Sequence, residues 1–194
     1  VILAIETSTT RGSVALGAPD KIAAQEFFPE SARPSEALFA ALEKMQIAQR
    51  QLERIVVGLG PGSFSGVRVA IAAARGIALA QQCAVYGISS AFSVARQKKN
   101  VSRLGVFADA RRGEFYQTIF ALGELERSTR ILSAPALEEE IGKVTLAVTA
   151  ENIPLVPERA YPRAADLLEL PPGLPQWVSG EALEPIYLRE AVAG

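Results

Sequence analysis

Residues 55–80, IVVGLGPGSFSGVRVAIAAARGIALA, constrain the fold most, because a strand, a glycine-rich turn and an unusual helix follow one another there without a gap. Ile55-Val56-Val57 is a β-branched run that stops at Gly58, and Gly60-Pro61-Gly62 is turn punctuation that no helix or strand interior accepts. Ser63 or Ser65 then caps a helix. Across residues 67–80 that helix is Ala, Val, Ile, Leu and Gly, with Arg68 and Arg75 as its only charges. A helix apolar on nearly every face is buried on nearly every face. Either it is the central helix of a core, or one face packs on its own chain and another on a second protein. Its small residues suit close packing of a facing helix, which favours a partner or self-association face.

The chain on either side reads as a duplication. Residues 2–5 form a buried-type strand ending at Glu6, the polar turn 7–12 closes on Arg11-Gly12, and strands 13–16 and 22–28 follow. Pro34 opens a helix with Leu38, Leu42 and Met45 on one face, extended by Ile47 and Leu52. After the 55–80 unit come a strand at 84–88 and a helix capped by Ser89 or Ser90, which ends in Gln97-Lys98-Lys99-Asn100. Residues 104–108 repeat the opening: an apolar strand, a terminal acid at Asp109, a polar turn closing on Arg112-Gly113, and a returning strand at 114–120. A third strand at 127–132, a helix from Pro135 and a strand at 144–148 complete a second β-β-β-α-β order. The expected division is an N-terminal lobe, residues 1–102, and a C-terminal lobe, residues 103–194. Pro154, Pro157, Pro162, Pro171, Pro172, Pro175 and Pro185 leave only a short helix near 164–170, so this stretch reads as a wrapping segment.

Charge and rare residues exclude several kinds of chemistry. The 194 residues carry a formal net charge of −1, which is not that of a general nucleic-acid binder. Between Glu53 and Asp109 there are nonetheless seven cations and no acid: Arg54, Arg68, Arg75, Arg96, Lys98, Lys99 and Arg103. They are either solvated helix ends compensated by acids elsewhere, or a basic strip for RNA or an acidic partner. Histidine is absent, so there is no imidazole base, no Ser-His or Cys-His pair and no His-ligated zinc. A single cysteine, Cys83, forms no disulfide within the chain and fits a reducing compartment. Arg68 and Arg75 interrupt the long apolar run and no signal peptide is evident, so a cytoplasmic protein without a membrane span is expected. The chain opens on Val1, with an initiator Met expected to have been removed.

The glycines of Gly60-Pro61-Gly62-Ser63-Phe64-Ser65-Gly66 follow a strand and precede a helix, the setting in which a pyrophosphate meets a helix N-terminus. The dinucleotide pattern fits poorly, because no acid ends the next strand and Pro61 removes an N–H. No Gly-Lys-Ser/Thr follows either, and G-x-S-x-G is out of register. A tight strand-to-helix connection explains the glycines equally well. Glu6 and Asp109 end the two duplicated strands. Facing one another across a cleft, they would hold a magnesium ion through water; singly, each is a structural cap.

The duplicated order resembles the actin, sugar-kinase and heat-shock ATPase superfamily, an α/β actin-like ATPase (ribonuclease H-like) fold with the second lobe reduced. Four stretches are more specific: Leu3-Ala4-Ile5-Glu6-Thr7-Ser8-Thr9, residues 57–68 (VGLGPGSFSGVR), Asp109-Ala110-Arg111-Arg112-Gly113-Glu114-Phe115-Tyr116, and Pro185-Ile186-Tyr187-Leu188-Arg189. They resemble the bacterial TsaB (YeaZ) family. The resemblance implies a subunit of the machinery that makes threonylcarbamoyladenosine at tRNA position 37. In it the paralogue TsaD carries the metal-binding histidines and transfers the threonylcarbamoyl group from its adenylate, and the ATPase TsaE joins. It implies docking on TsaD through the first two helices, here 34–49 and 64–80, with Ser35, Leu38, Phe39, Leu42, Phe64, Val67, Arg68, Ile71, Ala72, Arg75 and Leu79 at the interface, or on a second copy when alone. It makes Glu6, Ser8, Thr9, Gly60, Gly62, Ser63, Asp109, Arg111, Arg112 and Gly113 vestiges of nucleotide-facing loops, and offers Arg96, Lys98 and Lys99 to tRNA. No catalytic residue, metal or protease activity is expected of this chain, and ATP or ADP only at the interface of the complex. Glu6 departs from the family, which usually has Asp there. The rivals are an independent phosphotransferase binding ATP between Glu6 and Asp109, and a dinucleotide-binding oxidoreductase.

Overall fold

Strand β1 (Ile2–Glu6) has every residue buried, because it is paired on both edges and covered on both faces. It runs antiparallel to β2 (Ser13–Ala18), which pairs with β3 (Lys21–Phe27), and parallel to β4 (Arg54–Gly58), which pairs with β5 (Ala84–Ile88). The computed structural model describes residues 1–29, 32–171 and 173–188; Pro172 and Arg189, both named above, lie outside the described residues. In the second sheet β6 (Leu104–Arg111), β7 (Glu114–Ala121), β8 (Glu124–Ser133), β9 (Leu146–Thr149) and β10 (Glu158–Arg159) take the same places with the same strand directions. The orders β3-β2-β1-β4-β5 and β8-β7-β6-β9-β10 make this a duplicated actin-like ATPase (ribonuclease H-like) fold.

The helices set the layers. α1 (Pro34–Lys44) and α2 (Phe64–Gln81) cover the outer face of the first sheet, where Leu38, Val67 and Ile71 pack with Leu3, Ile5 and Val57. Each such side chain removed from water contributes about 1.5–3 kcal/mol. α3 (Ala91–Gln97) and α5 (Ala164–Leu168) lie between the sheets, with Ile2, Ala4, Ile88, Leu104 and Phe120 around them. α4 (Ala134–Ile141) covers the outer face of the second sheet, its Leu137 packing with Phe107 and Leu132. The second lobe is reduced as expected: β9 reaches β10 without a counterpart of α2.

Two differences from the sequence reading have local causes. The expected helix over 34–49 ends at Lys44, because Gln46 is left-handed at φ 53° and a short 3-10 turn, Ile47–Gln49, turns Ile47 into the core instead. The C-terminal stretch wraps, but it also returns to the first lobe: α5 packs on β1 and β2, and β11 (Val178–Ser179) pairs antiparallel with β5. Arg75 on α2 secures that return by donating to the carbonyls of Gly180 and Leu183 at 3.0 and 3.2 Å, and Ile186 N donates to Leu59 O at 2.8 Å. Among the described residues no helix is long and apolar enough to cross a membrane.

The glycine turn is shaped by contact with the first loop. A Cβ on Gly66 would stand 2.3 Å from Thr7 O, while Thr7 Oγ1 donates to Gly66 O at 2.9 Å. Only glycine lets the first turn of α2 come this close to the loop after β1. Ser63 caps the helix, its hydroxyl accepting from Gly66 N at 3.2 Å.

Candidate functional site

Because β1, β4, β6 and β9 run the same way within their sheets, the loops that follow them gather at one end, where open α/β sheets offer a crevice. The crevice here measures about 1100 Å³. Ser8, Thr9, Gly62 and Ser63 line one wall and Asp109, Arg111 and Arg112 the other, so seven of the ten expected loop residues meet at one place. Asp109 shapes its own turn: Oδ1 accepts from Arg111 N at 2.7 Å, and Oδ2 lies 3.1 Å from Arg111 Nη1. Arg111, Arg112 and Gly113 are all left-handed, with φ of 67°, 57° and 75°. Gly60 and Gly113 do not line the cleft; they bend the loops that do.

Glu6 is a correction. Its carboxyl group is fully buried beneath the loops and does not face the cleft. Oε1 accepts from Ser8 N at 2.7 Å, whereas Oε2 has no hydrogen-bond partner and presses on Gly58, whose Cβ, if present, would stand 1.9 Å away. Ser8 Oγ is likewise buried without a partner. Burial pushes the Glu6 carboxyl above its ordinary range, against the Ser8 N–H that favours the anion. Glu6 and Asp109 therefore do not face one another, and the two-carboxylate magnesium site does not fit these residues. The independent phosphotransferase loses its geometric basis with it.

A raised folded-state pKa on an acid lowers stability as pH climbs above the unfolded value. We expect Glu6→Gln, which keeps an acceptor for Ser8 N and has no charge to bury, to stabilise the fold by about 1–2 kcal/mol at pH 8. The gain should shrink towards zero near pH 4, where the carboxyl is neutral in both states. Urea midpoints at the two pH values check this, and a variant less stable than wild type at pH 8 would contradict it.

Two cleft residues were missed in the sequence. Glu151 and Asn152 follow β9 on the second wall, and Glu151 Oε2 accepts from Asp109 N. Burial pushes the Glu151 carboxyl up and the Asp109 charge adds to that, against the Asp109 N–H. Carrying the repeat through to its fourth strand would have found Glu151, since β9 stands where β4 does. Among the described residues no three His, Cys, Asp or Glu side chains are grouped to hold a metal ion.

The cations between Glu53 and Asp109 are largely compensated. Arg54 pairs with Glu53, Arg96 with Glu169 at 3.0 Å, Lys98 with Glu158 at 3.6 Å and Arg103 with Glu126 at 2.6 Å. Arg68 lies 5.2 Å from the Phe64 ring centroid. Of Arg96, Lys98 and Lys99, two are thus held by acids from the C-terminal half.

The first two helices separate into a core side and an open side. Leu38, Leu42, Val67 and Ile71 are buried in this chain's own core, so they support the outer face from beneath and do not form it. The open side carries Phe39, Phe64, Arg68, Ala72, Arg75 and Leu79, with Ser35 half-buried at its edge. Its apolar members are strongly exposed: Leu79 84%, Phe39 58% and Phe64 47%. Tyr187 extends the patch, its ring 5.7 Å from that of Phe64.

Residues 31–166 match the family described as TsaD: tRNA N6-adenosine threonylcarbamoyltransferase. The tRNA threonylcarbamoyladenosine biosynthesis protein TsaB of Bacillus subtilis is 31% identical over 124 residues, 61% of this chain and 54% of that protein. The protein of the same name from Escherichia coli is 33% identical over 121 residues, 59% of this chain and 52% of that one. The alignments thus span about half the length of these curated relatives. A crystal structure from Pseudomonas aeruginosa, described as similar to the peptidase YeaZ, superimposes with a TM-score of 0.72 at 26% identity, covering 97% of this chain and 99% of that one.

Proposed function

Because the chain belongs to the TsaB (YeaZ) family, within the group that the TsaD model describes, we propose that it is a non-catalytic subunit of the machinery that makes threonylcarbamoyladenosine in tRNA. It docks on a catalytic TsaD-type paralogue, a TsaE-type ATPase joins the assembly, and tRNA is met through the complex. Any ATP or ADP is taken at the assembled interface. The observation that carries this reading is the open side of α1 and α2. Phe39, Phe64, Ala72 and Leu79, with Tyr187, leave apolar surface in water on helices whose other sides are already packed. Burying such a patch on a partner supplies the favourable term of association. Without the paralogue, a second copy covers the same face. The lack of histidine supports a subunit that leaves the chemistry to its partner.

The test is the mass in solution, by light scattering after size exclusion, of the chain alone, with the TsaD-type paralogue of the same source, and as Ala72→Glu with Leu79→Glu. Both side chains are exposed, so the variant should keep its thermal midpoint. We expect a heterodimer for the wild type and an affinity weakened by about a hundredfold for the variant, two desolvated charges opposing the contact. Ala73, one position along, is buried and would test the fold instead. A wild type that ignores the paralogue would sink the reading.

A further inference from the structure

A second concavity, of about 470 Å³, shares the loop 7–12 with the cleft, since Arg11 of that loop lines it. Its other walls are the end of β3, the end of α3 and the segment entering α5. Among the described residues four cations line it, Arg11, Lys98, Arg159 and Arg163, and no acid does. Glu158 and Asp166 lean on Lys98 and Arg163 from the border, at 3.6 and 2.8 Å. Arg159 donates to neutral acceptors, the carbonyl of Glu151 and, at 3.1 Å, Asn152 Oδ1, so its charge stays open to the groove. Aromatic surface is interleaved with these charges: the Arg11 guanidinium lies 4.1 Å from the Tyr161 ring centroid, and Phe27 is 58% exposed at the rim.

We infer that this groove binds single-stranded RNA. Phosphodiester oxygens meet Arg159, Arg163 and Lys98, and an unstacked base lies on Phe27 or on the Arg11–Tyr161 platform. Charge alone would suit an acidic peptide equally. The ring faces decide for RNA, because every base has a π-face to lay on them whereas carboxylate side chains have none. Lys98 faces this groove, while Arg96 and Lys99 do not line it, so of the three cations that the sequence singles out only Lys98 takes part in the RNA contact. The inference goes beyond the subunit reading and rests on it only for the choice of tRNA as one probe.

The experiment is fluorescence anisotropy with two labelled probes, an oligouridine and an unmodified tRNA transcript. The chain is measured alone and with the TsaD-type paralogue, over a series of salt concentrations. Arg11→Glu with Arg159→Glu should weaken binding by about tenfold or more and make the salt dependence shallower by about two ions. Phe27→Ala, an exposed change that leaves the fold intact, should weaken binding by about tenfold with the salt dependence unchanged. Arg96→Glu with Lys99→Glu should stay within about twofold of wild type. The inference is overturned if the wild type binds neither probe alone or in the complex, if the charge reversal and Phe27→Ala both bind as wild type, or if polyglutamate displaces the probes as well as unlabelled oligouridine does. A heterodimer that forms normally while the groove variants bind RNA as wild type would remove the groove and leave the subunit reading standing. Groove variants that lose RNA in a chain that ignores the paralogue would do the reverse.

Discussion

Asp166→Ala should lower the unfolding free energy by about 3–4 kcal/mol, a drop of about 8–12 °C in thermal midpoint for a chain of this size. Asp166 is buried, and its carboxylate accepts four hydrogen bonds: from Ser93 Oγ at 2.9 Å, Gln97 Nε2 at 2.8 Å, and Arg163 Nε and Nη2 at 2.9 and 2.8 Å. Ser93 and Gln97 belong to α3, Arg163 and Asp166 to the start of α5, so this one group joins two helices 73 and 69 positions apart in the chain. In the same junction Arg163 N donates to Ser93 Oγ at 2.7 Å and Ala164 N donates to Ser13 Oγ at 2.9 Å. Removing the carboxylate takes one acceptor each from Ser93 and Gln97, which keep the carbonyls of Arg163 and Tyr161, and unpairs the Arg163 guanidinium. Together these losses cost more than the net worth of any single bond. Asp166→Asn keeps two acceptor lone pairs and should recover part of the loss. A shift of less than about 2 °C for the alanine variant would show that α5 is held by its apolar packing alone.

The second large effect is acid sensitivity at Glu140, on α4. Its carboxylate takes Lys143 Nζ at 2.8 Å, Gln117 Nε2 at 3.0 Å, Arg127 Nη1 at 2.9 Å and Arg130 Nη2 at 2.8 Å. The hydrogen bonds from Lys143 and Gln117 hold its pKa well below the ordinary 4.5, at about 2, with Arg130 and Lys143 adding their charges and burial opposing them. A depressed carboxylate contributes stability that is fully present above pH 4.5 and is lost as pH falls towards 2. That depression corresponds to roughly 3 kcal/mol at neutral pH; screening of the partly exposed cations brings the expected effect to about 2 kcal/mol. Glu140→Gln should therefore unfold at lower urea than wild type at pH 7, and the gap should narrow to about a quarter by pH 2.5 and close only below pH 2. An undiminished gap at pH 2.5 would mean that the variant loses packing, not charge.

The duplicated strand order was legible because each copy advertises itself locally: an apolar run, a terminal acid, a turn ending in Arg-Gly, a second run. That the two acid-terminated turns meet at a cleft followed from the same marks, and Ser8, Thr9, Gly62, Ser63, Asp109, Arg111 and Arg112, which the family resemblance pointed to, line it. Glu6 was misplaced because its burial is decided by Gly58 and Ser90, which reach it from other elements. The interface list mixed two sides of the same helices, since apolar residues stand on both, Leu79 in water and Val67 and Ile71 in the core, and do not mark which side is wet. The compensation of Arg96 and Lys98 by Glu169 and Glu158 is written in acids 73 and 60 positions downstream. Two-residue strands such as β11 have no periodicity to read, and nothing in Ala164-Ala165-Asp166-Leu167-Leu168 marks Asp166 as the clasp between two helices.

The hold of Arg75 on the carbonyls of Gly180 and Leu183, with Tyr187 lying against Phe64, gives the open side of α2 a particular character. It is a composite epitope, written by two stretches of chain more than a hundred positions apart. An isolated peptide copying α2 would present its leucine and phenylalanine without the edge that Tyr187 supplies. A binder matched to the whole of this surface thus distinguishes a chain whose tail has come home from one whose tail has not, and so reads the state of folding as well as the sequence of a helix.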